Sequence, residues 1–162
     1  MSKRVFTQTF GVAGALIERD EKYLLVQEAH NSTGEAGQWN HPAGWIEVGE
    51  DPRKTAVREV KEETGYDFEP THVLGIYSLV KKENKDKTGD IQHSLKIIFT
   101  GFVSGGAAQT EGDVVDAKWF TSSDIEQMDI TTLRDMDIKK MINDYTELER
   151  YPLGVLEHTI TE

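Results

Sequence analysis

Apolar and polar positions along the chain fall into strand-like and helix-like stretches. Phe6–Ile17 is rich in β-branched, aromatic and small residues, Glu18–Glu21 makes a polar turn, and Lys22–Glu28 is again strand-like, which together predict a strand pair. Thr71–Val80 predicts another strand, and His93–Val103 a fourth, in which His93, Leu95, Ile97 and Phe99 alternate against Ser94, Lys96, Ile98 and Thr100. Between them, Lys81–Asp90 mixes charges and reads as a solvated loop without chemistry. Val114–Phe120 predicts a short strand, after which Thr121 or Ser122 caps a short helix. Ile138, Met141, Ile142, Tyr145 and Leu148 make the apolar stripe of a final helix.

The helix with the clearest boundaries lies in the middle of the chain. Asp51 is a fitting N-cap, Pro52 suits the first helical position, and Gly65 can take the left-handed conformation that closes a helix, so the element starts near Pro52 and ends near Thr64. Ala56, Val57, Val60 and Thr64 share one side, which predicts the core face. Glu59, Glu62 and Glu63 stand at i, i+3 and i+4 on an adjacent side, where each like-charge pair costs a bare helix roughly 0.2–0.5 kcal/mol. A solvated acidic face would look the same. A hard divalent cation, Mg²⁺ with Mn²⁺ as a substitute, would offset the repulsion, so the three glutamates are candidate metal ligands. Arg58 is placed to pair with Glu62 one turn on and to reach back to Glu50, bracing the approach loop.

Gly44, five residues, Glu50, seven residues and then Arg58-Glu59-Val60-Lys61-Glu62-Glu63-Thr64-Gly65 resembles the signature of the Nudix hydrolases at every fixed position. Tyr66 departs from it, because that position is usually aliphatic in the family; an aromatic there can still plug the helix end into the core. The resemblance implies an α/β/α sandwich with a mixed sheet between helices, extending over roughly Phe6–Leu148. It implies hydrolysis of a nucleoside diphosphate linked to another group, by water attack at phosphorus. It also implies that the backbone carbonyl of Ala43 adds an oxygen to the metal set. Glu111, in the glycine-rich stretch Gly105–Asp113, is placed as a further ligand or as general base, with Glu62 the other candidate base and Asp113 and Asp116 as fallbacks. The lead-in Trp39–Gly44 looks most like broad-range phosphohydrolases acting on nucleotides or thiamine-precursor pyrophosphates.

Composition narrows the partners. A net charge of −11 and a pI near 4.9 argue against duplex nucleic acid, a capped RNA or an anionic membrane, and favour a small anionic substrate bridged by metal. With no cysteine, thiolate chemistry and disulfides are excluded. No apolar leader or span occurs, so the expectation is a cytoplasmic, single-domain protein over residues 1–162. Trp39, Asn40, His41 and Lys96 are candidate substrate contacts, Trp39 by stacking on a ring; the plainer alternatives are a core tryptophan, a hydrogen-bonded structural histidine and a solvent-facing lysine. The segment 149–162 reads as either frayed or docked on a partner subunit, in which case the chain is a homodimer. The rival to an enzyme is a non-catalytic Nudix-fold nucleotide sensor, which would be expected to lose the acids that this helix retains.

Overall fold

The computed structural model describes residues 9–29, 37–85, 91–110 and 114–161. Strands β1 (Thr9–Arg19) and β2 (Lys22–Glu28) are joined by a tight turn with Asp20 and Glu21 at φ 53° and 60°, the backbone that matches strand twist in a two-residue hairpin. Next come β3 (Trp39–Asn40), β4 (Ala43–Trp45), helix α1 (Pro52–Thr64), β5 (Tyr66–Lys85), β6 (Ile91–Gly106) and β7 (Val114–Thr121). Helices α2 (Ser122–Gln127) and α3 (Asp137–Glu147), a two-residue β8 (Tyr151–Pro152) and a short 3-10 helix (Leu153–Val155) follow.

The strand order is β3-β2-β1-β6-β5-β8, with β7 on β2 and β4 on β1. Among the strand ladders of the described residues β1 and β6 run parallel and the others antiparallel, so the sheet is mixed, as expected. β1 and β2 stay paired only near their hairpin, at Glu18–Tyr23 and Arg19–Lys22. Farther back along β1 its edge is taken by β4, through Val12–Trp45, Ala13–Gly44 and Gly14–Ala43. The segment from Trp39 to Trp45 therefore crosses from β2 to β1 and fills the wedge where they part. Gly14 makes this crossing possible: a Cβ there would lie 2.5 Å from the Ala43 Cβ and 2.7 Å from the Pro42 carbonyl oxygen.

Alternation along β1 sends neighbouring residues to opposite faces. Ala13, Ala15 and Ile17 pack under α1, with Ala56, Val60, Phe68, Val73 and Phe99. Leu16 faces the other way, with Leu25, Trp39, Ile98, Ile125 of α2 and Ile138, Met141 and Ile142 of α3. Each fully buried Leu, Ile, Val, Phe or Met among them contributes on the order of 1.5–3 kcal/mol, so helices on both faces clamp the sheet. The capping expected from sequence is present: Asp51 accepts from the Arg53 N–H at 2.9 Å, and Gly65, at φ 74°, donates to the Lys61 carbonyl. Thr121 and Asp124 form a reciprocal capping box on α2.

Four expectations are corrected. Val57 is 36% exposed and Thr55 takes the buried place beside Ala56, so the core face of the helix is Thr55, Ala56, Val60 and Thr64. The strand-like backbone of β5 runs on through Lys85, so Lys81–Lys85 are strand rather than loop; residues 86–90 lie outside the described chain. Leu148 is exposed, since α3 stops at Glu147. The tail is not frayed: β8 pairs with His72 and Val73 of β5, and Leu153 and Leu156 pack against the core beneath α1. Among the described residues no helix is long and apolar enough to cross a membrane.

Candidate active site

The site is built where α1 meets the crossing segment. Arg58 lies at its centre. Its Nε and Nη2 grip Glu50 at 2.9 and 3.1 Å, its Nη1 reaches Glu59 at 2.6 Å and Glu62 at 3.2 Å, and its Nη2 also donates to the Trp45 carbonyl at 3.3 Å. Glu50 in turn accepts from the Glu47 N–H at 3.2 Å, which ties the loop before α1 to the helix. The Arg58 guanidinium holds the Glu50 carboxyl down at about 2, and Glu50 and Glu59 keep Arg58 firmly protonated.

Glu59 and Glu63 are drawn under the crossing segment while Glu62 is left 57% exposed. Glu59 lies against Gly44 so closely that a Cβ on that residue would fall 2.1 Å from the carboxyl carbon. Glu63 accepts the Ala43 N–H at 3.1 Å. Burial raises both carboxyls; for Glu63, burial and the charge of Glu59 push it up to about 8, with Glu28 adding to the effect. These are carboxylates in want of positive charge, and a donor set of three carboxylates with the Ala43 carbonyl is the oxygen-rich kind that suits Mg²⁺ or Mn²⁺. In donor chemistry alone, these residues suit such a metal. Arg58 supplies the neutralising charge in the present arrangement, and among the described residues no three carboxylate or imidazole groups converge on one point.

Beyond Ala43 and Gly44 the surface opens into a cleft of about 270 Å³, walled by Phe10, Val12 and Lys96 on the sheet, by Asn40 and His41 on the crossing segment, and by Arg134 and Asp135. Asn40 and His41 thus border the cleft, although both are buried. His41 places Nδ1 3.3 Å from the Pro42 carbonyl oxygen; burial and nearby Lys96 lower its pKa to about 4, so the ring is neutral. Of the other two candidates, Trp39 lies away from the cleft and Lys96 stands on its wall with its charge engaged. Trp39 packs edge-to-face on Phe120 at 4.8 Å within the core and is absent from the cleft wall, so it is not available to stack on a substrate ring. Lys96 is not solvent-facing: only 3% exposed, its ammonium lies 2.6 Å from Asp135 and 3.0 Å from Asp137, which engages the charge expected for phosphate.

Glu111 and Asp113 lie outside the described residues. Asp116 pairs with Lys118 on β7. Sequence reasoning passed over Glu28, a buried acid that ends β2, pairs with Arg134 at 2.7 Å and contributes to the field on Glu63. An acid two residues beyond the apolar run Leu24–Val26 of that strand was the available signal. It also passed over Asp135, which binds Lys81 at 2.7 Å as well as Lys96 and sits between elements far apart in sequence, where no local pattern marks it.

The NUDIX domain family model matches residues 8–140. An ADP-ribose pyrophosphatase of Methanocaldococcus jannaschii is 30% identical over 142 residues, which is 88% of this chain and 76% of that protein. A MutT-like protein of Streptomyces ambofaciens is 29% identical over 72% of this chain and 66% of its own length. The chain spans only 34% and 48% of two other curated relatives. A solved NUDIX hydrolase from Nitrosomonas europaea superposes with a TM-score of 0.81 at 32% identity, covering 94% of this chain and 98% of that one.

Proposed function

Because the chain belongs to the NUDIX domain family, we propose that it is a metal-dependent pyrophosphohydrolase that cleaves a phosphoanhydride bond in a nucleotide or a related small diphosphate. The observation that carries this reading is the packing of the Glu59 carboxyl against Gly44, where a side chain would collide with it, with Glu62 and Glu63 on the same helical edge. The pyrophosphatase named among the relatives supports the reaction class.

Glu59, Glu62, Glu63 and the Ala43 carbonyl would hold Mg²⁺ or Mn²⁺, which when bound supplies charge neutralisation for the two phosphates of the substrate. The protein's own part is positioning. Arg58 fixes the carboxylates of Glu59 and Glu62 from one side, and the Ala43 N–H fixes Glu63 from the other. Glu50 keeps Arg58 in place through a two-point grip. Glu62, the most open of the three acids, is assigned to accept the proton of the attacking water, and Glu111 is the alternative.

A panel of nucleotides and pyrophosphate esters, assayed with Mg²⁺ and resolved by chromatography, tests the proposal. Glu62→Gln is expected to lower kcat by roughly 10²–10⁴-fold without changing the melting temperature. Normal turnover by that variant would remove Glu62 from the mechanism. Absence of hydrolysis across the panel, together with nucleotide binding, would favour the non-catalytic sensor.

A further inference from the structure

Trp45 and Phe10 are large aromatic side chains left open to solvent, at 57% and 37% exposure, and both stand on the wall of the cleft. They brace each other edge-to-face, with ring centroids 4.6 Å apart and an interplanar angle of 73°. Their placement is fixed by the strands: Phe10 precedes Val12 by two residues along β1, and Val12 is the register partner of Trp45 on β4. The Trp45 backbone is held independently, since its carbonyl accepts from Arg58. The indole is therefore mounted on the same segment as Ala43 and Gly44, one residue from the position against which Glu59 packs.

Charge on the cleft wall is already paired. Lys81 and Lys96 bind Asp135, and Arg134 binds Glu28. Such a wall suits an uncharged ring better than another phosphate. A volume of about 270 Å³ lies just below the roughly 300–1,000 Å³ typical of sites for drug-sized ligands, which leaves room for one ring system while the rest of the substrate extends across Ala43–Gly44 toward the acids. An exposed indole at the mouth gives up little conformational entropy on stacking and gains contact over its whole face.

We propose that Trp45, braced by Phe10, is the stacking surface for an uncharged heteroaromatic ring of the substrate, a nucleobase, and so sets specificity for substrates that carry one. The inference rests on the hydrolase reading for the position of the phosphates, but it is tested by binding and does not require turnover. The wild-type protein, Trp45→Ala and Trp45→Phe are titrated calorimetrically with adenosine, guanosine, cytidine and uridine monophosphates and with ribose 5-phosphate, all with Mg²⁺. Trp45→Ala is expected to weaken binding of at least one nucleoside monophosphate by roughly 5–100-fold, as loss of one base–aromatic stack does, and Trp45→Phe to restore most of it. Ribose 5-phosphate affinity should be the same in all three proteins.

The inference is overturned if no nucleoside monophosphate binds the wild type at millimolar concentration, if Trp45→Ala binds them as the wild type does, or if it loses ribose 5-phosphate equally. A Trp45-dependent dimer in sedimentation, with nucleotide affinity unaffected by the substitution, would also overturn it by assigning the aromatic pair to a second copy. Stacking without hydrolysis of any diphosphate would leave the inference standing and sink the enzymatic reading instead.

Discussion

Gly44 has no room for a side chain, and the obstacle is a carboxyl group rather than a hydrocarbon wall. Gly44→Ala can be accommodated only if Glu59 swings away from its 2.6 Å contact with Arg58. Because that side chain is flexible, the fold should survive with a melting temperature within a few degrees of the wild type, while kcat falls by at least an order of magnitude; an active Gly44→Ala enzyme would show that the position of Glu59 is unimportant. The acids were legible in the sequence because their spacing on a capped helix is a local property. The aromatic contacts were not. Trp39 and Trp45 lie six residues apart in one loop-like stretch, and which of them faces the core depends on β3 pairing with β2 while β4 pairs with β1. That choice is made by the sheet, so no local pattern separates a core indole from one at a cleft. The burial of Lys96 was hidden for a related reason: it is Leu95 that is left open and Lys96 that is covered, and its partners Asp135 and Asp137 come from a distant part of the chain.

At the scale of the element, α1 and the loop before it behave as one braced unit. The helix boundaries were readable, since Asp51, Pro52 and Gly65 each act on the backbone beside them. The brace was readable as well, because Arg58 and Glu50 meet across a short loop. Its energetic value is modest, for the Arg58 side chain is 30% exposed and solvent screens the pair. Its value for geometry is larger. Glu50→Gln keeps the shape but weakens the two-point grip on Arg58, which loosens the support of Glu59 and Glu62 together. Activity should drop by roughly 10–100-fold, the usual effect of removing a group that orients the functional ones, while urea unfolding at pH 7 changes by no more than about 1 kcal/mol. A large stability loss with unaltered kcat would reverse that assignment. β8 and the packing of Leu153 and Leu156 had no comparable local signal: a two-residue strand carries no period, and its pairing with β5 is set by where α3 ends.

Across the whole molecule, β5, β6 and the stretch before α3 are locked together by buried charge. Asp135 is the common partner, receiving Lys96 from β6 and Lys81 from β5. Burial by itself would raise its carboxyl, but Lys96 and Lys81 more than offset that and hold it well below the usual carboxylate range. The unfolded chain, whose aspartates titrate near 3.9, therefore binds a proton at higher pH than the folded protein does. The contribution of Asp135 is complete above about pH 5 and is lost as the pH falls through 4 and below, where only the unfolded state gains the proton. Asp135→Asn removes that dependence and also leaves the 3%-exposed Lys96 with one acid fewer. The variant should be less stable at pH 7 by roughly 3–5 kcal/mol, the cost of breaking a buried pair. It should also show a shallower decline between pH 5 and pH 3 than the wild type. Urea midpoints measured at pH 7, 5, 4 and 3 decide the matter: parallel acid limbs for the two proteins would mean that the folded-state carboxyl titrates like a free one, and that Lys81 and Lys96 do not hold this corner of the cleft together through Asp135.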